Sequence, residues 1–469
     1  MTPRPALRTL GELRAAGYAR RSVREEIRAN LLQRLAAGGP LFPGILGYDD
    51  TVIPAVENAL LCGHDLIFLG ERGQAKSRMI RALVGLLDEW LPVVAGSEIH
   101  DDPFAPVSAF GRAAVAERGD ATEIAWVDRD ERYVEKLATP DVSISDLIGD
   151  VDPVKVAAGR SLSDELTIHF GLLPRTNRGI FCINELPDLT EKVQVGLFNV
   201  MQERDVQVKG YRVRLPLDVV VVASANPEDY TSRGRIITPL KDRYAAQIRT
   251  HYPKTRELEI EVVRQEARPP RADGIEVHVP RFTEELVAEI TLQARSSPDV
   301  NQTSGVSVRM SIANQETLVA NALRRALRCG EREAVPRISD LDALVQSTAG
   351  KLELEYAGEA RSDADVVREL IKRATRVVFD AWVPVEAVAP VVEAFQQGWV
   401  VEVSSALPSP EYLQGLDEIR GLREVAARLA GGDTPARVAA GIEFVLEGLH
   451  LRNRLNKATS EGGSRYARA

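Results

Sequence analysis

The chain has little with which to build a covalently or metal-stapled protein. Its 469 residues include only three cysteines, Cys62, Cys182 and Cys329, far apart and mostly inside apolar runs. That pattern suggests neither a disulfide framework nor a zinc site, and it points to a reducing compartment. The six histidines are scattered and offer no metal cluster. No apolar run reaches the roughly 18 residues a membrane span requires, and the opening MTPRPALRTLGELRAAGYARRS lacks the continuous apolar stretch of a secretory leader. A soluble, cytoplasmic protein without a membrane partner is expected. Excess basic charge is also missing. A net charge of -9 and a pI near 5.5 argue against a surface built mainly for duplex DNA. The length allows roughly two to four domains.

What is present begins with DLIFLGERGQAKS, Asp65 to Ser77. An apolar strand runs directly into a glycine-bearing loop that ends in Lys-Ser before a helical pattern, RMIRALVGLLDEW. A phosphate-gripping loop needs small residues so that backbone N–H groups can turn toward the phosphates, a lysine for their charge and a hydroxyl for Mg²⁺. Gly70, Glu71, Arg72, Gly73, Gln74, Ala75, Lys76 and Ser77 form that nucleotide-binding loop. Ala75 stands where the usual pattern has its second glycine.

A second strand, GIFCINEL, ends in Asn184-Glu185, where an Asp-Glu pair is usual. Glu185 is the candidate to polarise an attacking water. Asn184, with Ser77, is the candidate to hold Mg²⁺, partly through water. The amide keeps the hydrogen-bonding shape of an aspartate and loses its charge, so slow turnover is an expectation. A third strand, VVVVASANPEDY, ends in the polar Asn226 before proline. Arg243, in ITPLKDRYAAQIRT, and Arg309, in GVSVRMSIANQ, are candidate phosphate-reading arginines, because a guanidinium pairs with phosphate oxygens as a fixed fork.

Strand-like runs alternating with helical patterns over 41–252 predict a parallel sheet covered by helices. A charged helix over 19–36 ends at Gly38-Gly39-Pro40, so residues 1–40 read as an N-terminal helical segment. Helical periodicity over 253–355 and 356–457 predicts two further helical domains. Gly330 is placed as a C-cap, Ser339 with Asp342 as a capping box, and Thr434-Pro435 as a helix start. Val367, Leu370, Ile371, Ala374 and Val378 form an apolar stripe. VQVK and RVRL flank Gly210-Tyr211 as a hairpin. Residues 458–469 read as a disordered tail.

Taken in order, FPGILGYDDTV, GERGQAKS, GLLPRTNRGIFCINEL, VVVVASANPEDY, LKDRY and GVSVR resemble the AAA+ ATPases, and within them the group of the magnesium chelatase motor subunit and the MoxR ATPases. The resemblance covers about 41–350. It implies an α/β P-loop parallel-sheet sandwich, an all-α lid and a further helical C-terminal domain. It makes Gly70 to Ser77 the Walker A loop, Asn184 and Glu185 the Walker B pair, Asn226 sensor 1, Arg243 an arginine finger for a neighbouring subunit and Arg309 sensor 2. It also implies ATP and Mg²⁺ as cofactors and a hexameric or similar ring. The expected activity is that of a motor or chaperone that remodels a client protein or assists metal or cofactor insertion, with a partner carrying a von Willebrand factor A (VWA) domain. The segment from LATPDVSISDLIGD to TNRG resembles the group's insertion near the ring pore. Two alternatives stand beside this reading. One is an ATP-assembled scaffold with weak hydrolysis. The other is a DNA-acting relative, for which no GAFTGA-type loop or DNA-binding module is visible.

Overall fold

The apolar runs that read as strands are buried along their length because they stack in a parallel sheet covered on both faces. The computed structural model describes residues 3–152, 154, 165–202, 205–207, 214–226, 235–302, 304–355, 362–414, 419, 421–460 and 463–469. It divides into two units, Met1–His251 and Tyr252–Ala469, each with its own core.

In the first unit, β1 (Leu66–Leu69), β2 (Tyr133–Leu137), β3 (Gly179–Asn184), β4 (Val219–Ala225) and β5 (Ala246–Arg249) form one parallel sheet in the order β5-β1-β4-β3-β2. Side chains alternate across it. Leu66, Phe68, Ile180, Cys182, Val220 and Val222 meet a layer containing Met79 and Ile80 of α2 (Lys76–Ala82) and Val23, Ile27 and Leu31 of α1 (Val23–Ala36). Ile67, Phe181, Ile183, Val219, Val221 and Ala223 face a second layer around Leu147, Leu173 and Val193. The sheet order inserts β4 between β1, which leads into the phosphate loop, and β3, which ends at Asn184. Asn226, the residue after β4, therefore emerges between them.

Ser22 starts α1 with a full capping box to Glu25. The helix expected over Arg78–Trp90 is shorter than its periodicity implied. It runs through α2 and a 3₁₀ turn to Leu86, and Trp90–Val94 instead pairs antiparallel with Ile124–Asp128. Pro92 lies inside that strand, where a helix would have been broken. Asp205–Gln207 and Arg214–Pro216 pair antiparallel as the hairpin requires. Its turn at Gly210-Tyr211, and part of the segment between β2 and β3, lie outside the described residues.

The second unit is mainly helical. Gly330 closes the helix Arg309–Cys329 in the left-handed conformation, and Thr434 caps Pro435–Leu451, its side chain accepting from Arg437 N–H. The helix Asp363–Trp382 buries Val367, Leu370, Ile371, Ala374 and Val378 as its stripe predicts. Three expectations are corrected. The 3₁₀ turn Ile338–Ala343 is boxed by Arg337 and Asp340, while the Ser339 N–H and hydroxyl bond to Glu443 at 2.7 and 3.1 Å. The region 253–355, expected as an all-α lid, also contains the short strand pair Glu276–Val277 with Glu333–Ala334, and beyond it lies an antiparallel sheet β6-β8-β7 made of β6 (Val401–Val403), β7 (Leu455–Ser460) and β8 (Gly463–Arg468). β8 is the tail expected to be disordered. Its Tyr466 is 1% exposed and donates its hydroxyl to Glu447. One anchored aromatic in a polar strand leaves little periodicity to read.

Candidate functional site

The phosphate loop folds as its small residues allow. A side chain at Gly70 would collide with Thr250 and Gln74, and Gly73 holds φ +77°. Ala75 also takes a left-handed backbone, φ 57° and ψ 13°, which explains why glycine is usual at that position. The loop is braced from behind. Thr250 donates to Gln74 Oε1 at 2.6 Å, and the Tyr48 hydroxyl lies 3.0 Å from the Gln74 carbonyl and 2.8 Å from that of His251. Burial pushes the Tyr48 hydroxyl pKa up to about 12, so it remains a donor. A cavity of about 320 Å³ opens beside the loop, with Lys241 and Arg249 in its wall.

Lys76 is 7% exposed. Its ammonium donates to the carbonyls of Gly70 and Glu71, the latter at 2.9 Å, and to Asn226 Oδ1 at 2.6 Å. Asn226 in turn donates through Nδ2 to Glu185 Oε2 at 2.9 Å. The charges at the two ends fix this amide's orientation, because an ammonium only donates and a carboxylate only accepts. Lys76, Asn226 and Glu185, which lie on three separate elements of the chain, thus form one continuous hydrogen-bonded line.

Glu185 sits at φ 55° and ψ 49°, a left-handed conformation rare for a residue with a side chain. Its N–H is held by Ser224 Oγ at 3.2 Å, and Ser224 donates to Asn184 Oδ1, also at 3.2 Å. The Asn184 amide is buried and donates to Glu135 Oε1. Sequence reasoning missed Glu135, together with Arg81, Tyr48, Ser224 and Thr250. The one signal for Glu135 was a carboxylate interrupting the strand run YVEKL.

Two candidate arginines remain. Arg243 ends the helix Thr238–Arg243, donates to Pro239 O and Gln202 Oε1, both at 2.6 Å, and stacks 4.4 Å over the Phe198 ring. Arg309 opens its helix in the second unit with an exposed side chain.

The donor set fits a polyphosphate. It offers a buried ammonium and a loop with no room for side chains at its first glycine. No group of three or more His, Cys, Asp or Glu that could cage a metal occurs among the described residues. No described helix is long and apolar enough to cross a membrane.

The model of the sigma-54 interaction domain matches residues 163–242. A magnesium-chelatase subunit ChlI of Anabaena variabilis is 27% identical over 202 residues, 43% of this chain and 56% of that protein. The magnesium-chelatase 38 kDa subunit of Rhodobacter capsulatus is 28% identical over 248 residues, 50% of this chain and 64% of that protein. The chain thus spans between half and two thirds of the length of these curated relatives. A structure modelling the complex between subunits BchI and BchD of magnesium chelatase aligns with 75% of this chain and 97% of its own, at 21% identity and a TM-score of 0.33.

Proposed function

We propose that the chain is an AAA+ ATPase similar to the magnesium-chelatase motor subunits, which binds Mg·ATP on Gly70–Ser77 and hydrolyses it with Glu185 as the carboxylate that orients the attacking water. The observation that carries this reading is the line Lys76–Asn226–Glu185. It joins the group that would neutralise the phosphates to the group that would act on the water through a single amide, in the position of a sensor.

In this reading Lys76 exchanges its carbonyl partners for phosphate oxygens, and the loop N–H groups from Gly70 to Ser77 line the phosphates. Ser77 would hold Mg²⁺ with position 184 beside it, and the ion would neutralise charge on the phosphates. Asn226 keeps Glu185 aimed and changes partner as Lys76 does. Arg243 acts across a subunit boundary in a hexameric or similar ring, after leaving Gln202 and Pro239, and Arg309 acts as sensor 2. The work performed is remodelling of a client protein, or assistance to metal or cofactor insertion, with a VWA-domain partner and in the cytoplasm. The nucleotide core comprises residues 41–252, followed by a lid over 253–355.

A second reading, an ATP-assembled scaffold with slow hydrolysis, is favoured by one observation: position 184 directs an amide N–H, not a carboxylate, away from Ser224. Titration calorimetry tests the primary claim. Wild-type protein should bind ATP, and Lys76→Ala should lose tight binding; equal affinity in a folded variant would refute the phosphate-loop assignment.

A further inference from the structure

We propose that Glu135 supplies the acceptor oxygen that position 184 cannot offer to the waters of a nucleotide-bound Mg²⁺, and that Arg81 occupies Glu135 until the hydrated ion displaces it. This rests on the Mg·nucleotide reading above.

The argument starts from the orientation of the Asn184 amide. Its oxygen accepts from Ser224 Oγ at 3.2 Å and lies 3.6 Å from Cys182 Sγ, while its nitrogen donates to Glu135. An ionised carboxylate can only accept, so the NH₂ side must face it. Arg81 donates to both Glu135 oxygens, so this carboxyl presents acceptors to its neighbours. The acceptor of position 184 is therefore turned toward β4. Waters on a divalent cation donate outward, and an N–H cannot receive them. The acceptor that adjoins this N–H is Glu135.

Its placement follows from register. Leu137 pairs with Asn184, and Phe68 pairs with Ser224, so these residues lie at one level of the sheet. Glu135 is two residues before Leu137, on the face that carries Cys182 and is covered by α2. Arg81 lies one helical turn beyond Ser77 on α2, and Ser77 is the hydroxyl expected at the metal. The carboxylate thus lies between the amide end of β3 and the flank of the helix that bears Ser77.

The partners of Glu135 differ in how readily they leave. Arg81 contacts both carboxylate oxygens, at 2.8 and 2.9 Å, and its side chain is 63% exposed, so water can take its place at little cost. Tyr133 donates at 2.9 Å from within the same strand, and the Asn184 amide is buried. A hydrated divalent cation would remove the guanidinium and leave the two neutral donors in place. If Arg81 and Glu135 were only a brace between α2 and β2, removing either would act in the same direction.

The test is a titration of the full-length protein with a fluorescent ATP analogue, with EDTA and across a Mg²⁺ series. Glu135→Gln should leave the EDTA affinity unchanged and raise the Mg²⁺ half-saturation by about 10- to 100-fold, the range for lost outer-shell partners. Arg81→Ala should lower it. Shifts in the same direction, or no change in either variant, would overturn the proposal and leave the nucleotide reading intact. Failure of the wild type to bind the analogue would overturn both. Unchanged EDTA affinity establishes that each variant is folded.

Discussion

Lys76 and Asn226 are 150 positions apart in sequence, yet the Lys76 ammonium lies 2.6 Å from the Asn226 side-chain oxygen. The contact exists because β4 is inserted between β1 and β3, and the amide at its end reaches Lys76 on one side and Glu185 on the other. A nucleotide drawing Lys76 forward would be felt at Glu185 with no movement of the backbone.

Ala75 occupies a left-handed conformation that costs a residue with a Cβ about 1 kcal/mol. Ala75→Gly should therefore raise stability by up to about 1 kcal/mol, against the usual loss for this exchange at helical positions. Thermal unfolding reads the sign. A lower midpoint would mean that the conformation carries no strain.

Arg132 is fully buried, and its two terminal nitrogens donate to the two carboxylate oxygens of Glu26 at 2.8 and 2.6 Å, tying α1 to the residue before β2. Glu26→Ala leaves a buried cation without its carboxylate and should cost about 3–5 kcal/mol. Chemical unfolding of the full chain checks this; a loss under about 1 kcal/mol would show that Arg132 is satisfied by the Arg178 and Asp88 carbonyls alone.

Burial raises the Glu443 carboxyl above its ordinary 4.5, despite Arg337 nearby. The folded chain then holds a proton that the unfolded chain releases. The group's contribution is complete below about pH 4.5 and is lost as pH climbs toward the raised value, by at most about 1.4 kcal/mol per pH unit. Glu443→Gln should flatten that part of the stability profile, as urea unfolding across pH would reveal. Parallel profiles would contradict the assignment.

Asn184→Asp would set a second carboxylate against Glu135. Without metal the pair should repel, costing about 1 kcal/mol. Mg²⁺ with nucleotide should restore more stability to this variant than to the wild type. Thermal unfolding with and without Mg·ATP measures both effects, and identical behaviour of the two proteins would place position 184 away from the metal.

The sheet and the residues of the candidate site were largely legible in the sequence because each buried strand is a continuous apolar run whose polar end stands out: Lys76-Ser77, Asn184-Glu185 and Asn226. Residues whose role arises only from register carried no such mark. Glu135 reads as an ordinary strand carboxylate until β2 is set beside β3. Tyr48 and Thr250 gain meaning only when their segments meet behind Gln74. β8 was missed for the opposite reason, since a strand with one fully buried side chain among polar neighbours has the composition of a tail.

The central claim is that Glu185 orients the water for hydrolysis of ATP held by Lys76. Single-turnover hydrolysis with Mg²⁺, in the wild type and in Glu185→Gln, tests it most directly. The account predicts that Glu185→Gln retains bound ATP while its hydrolysis rate falls by about 100-fold or more. Equal rates in the two proteins, zero included, would contradict it.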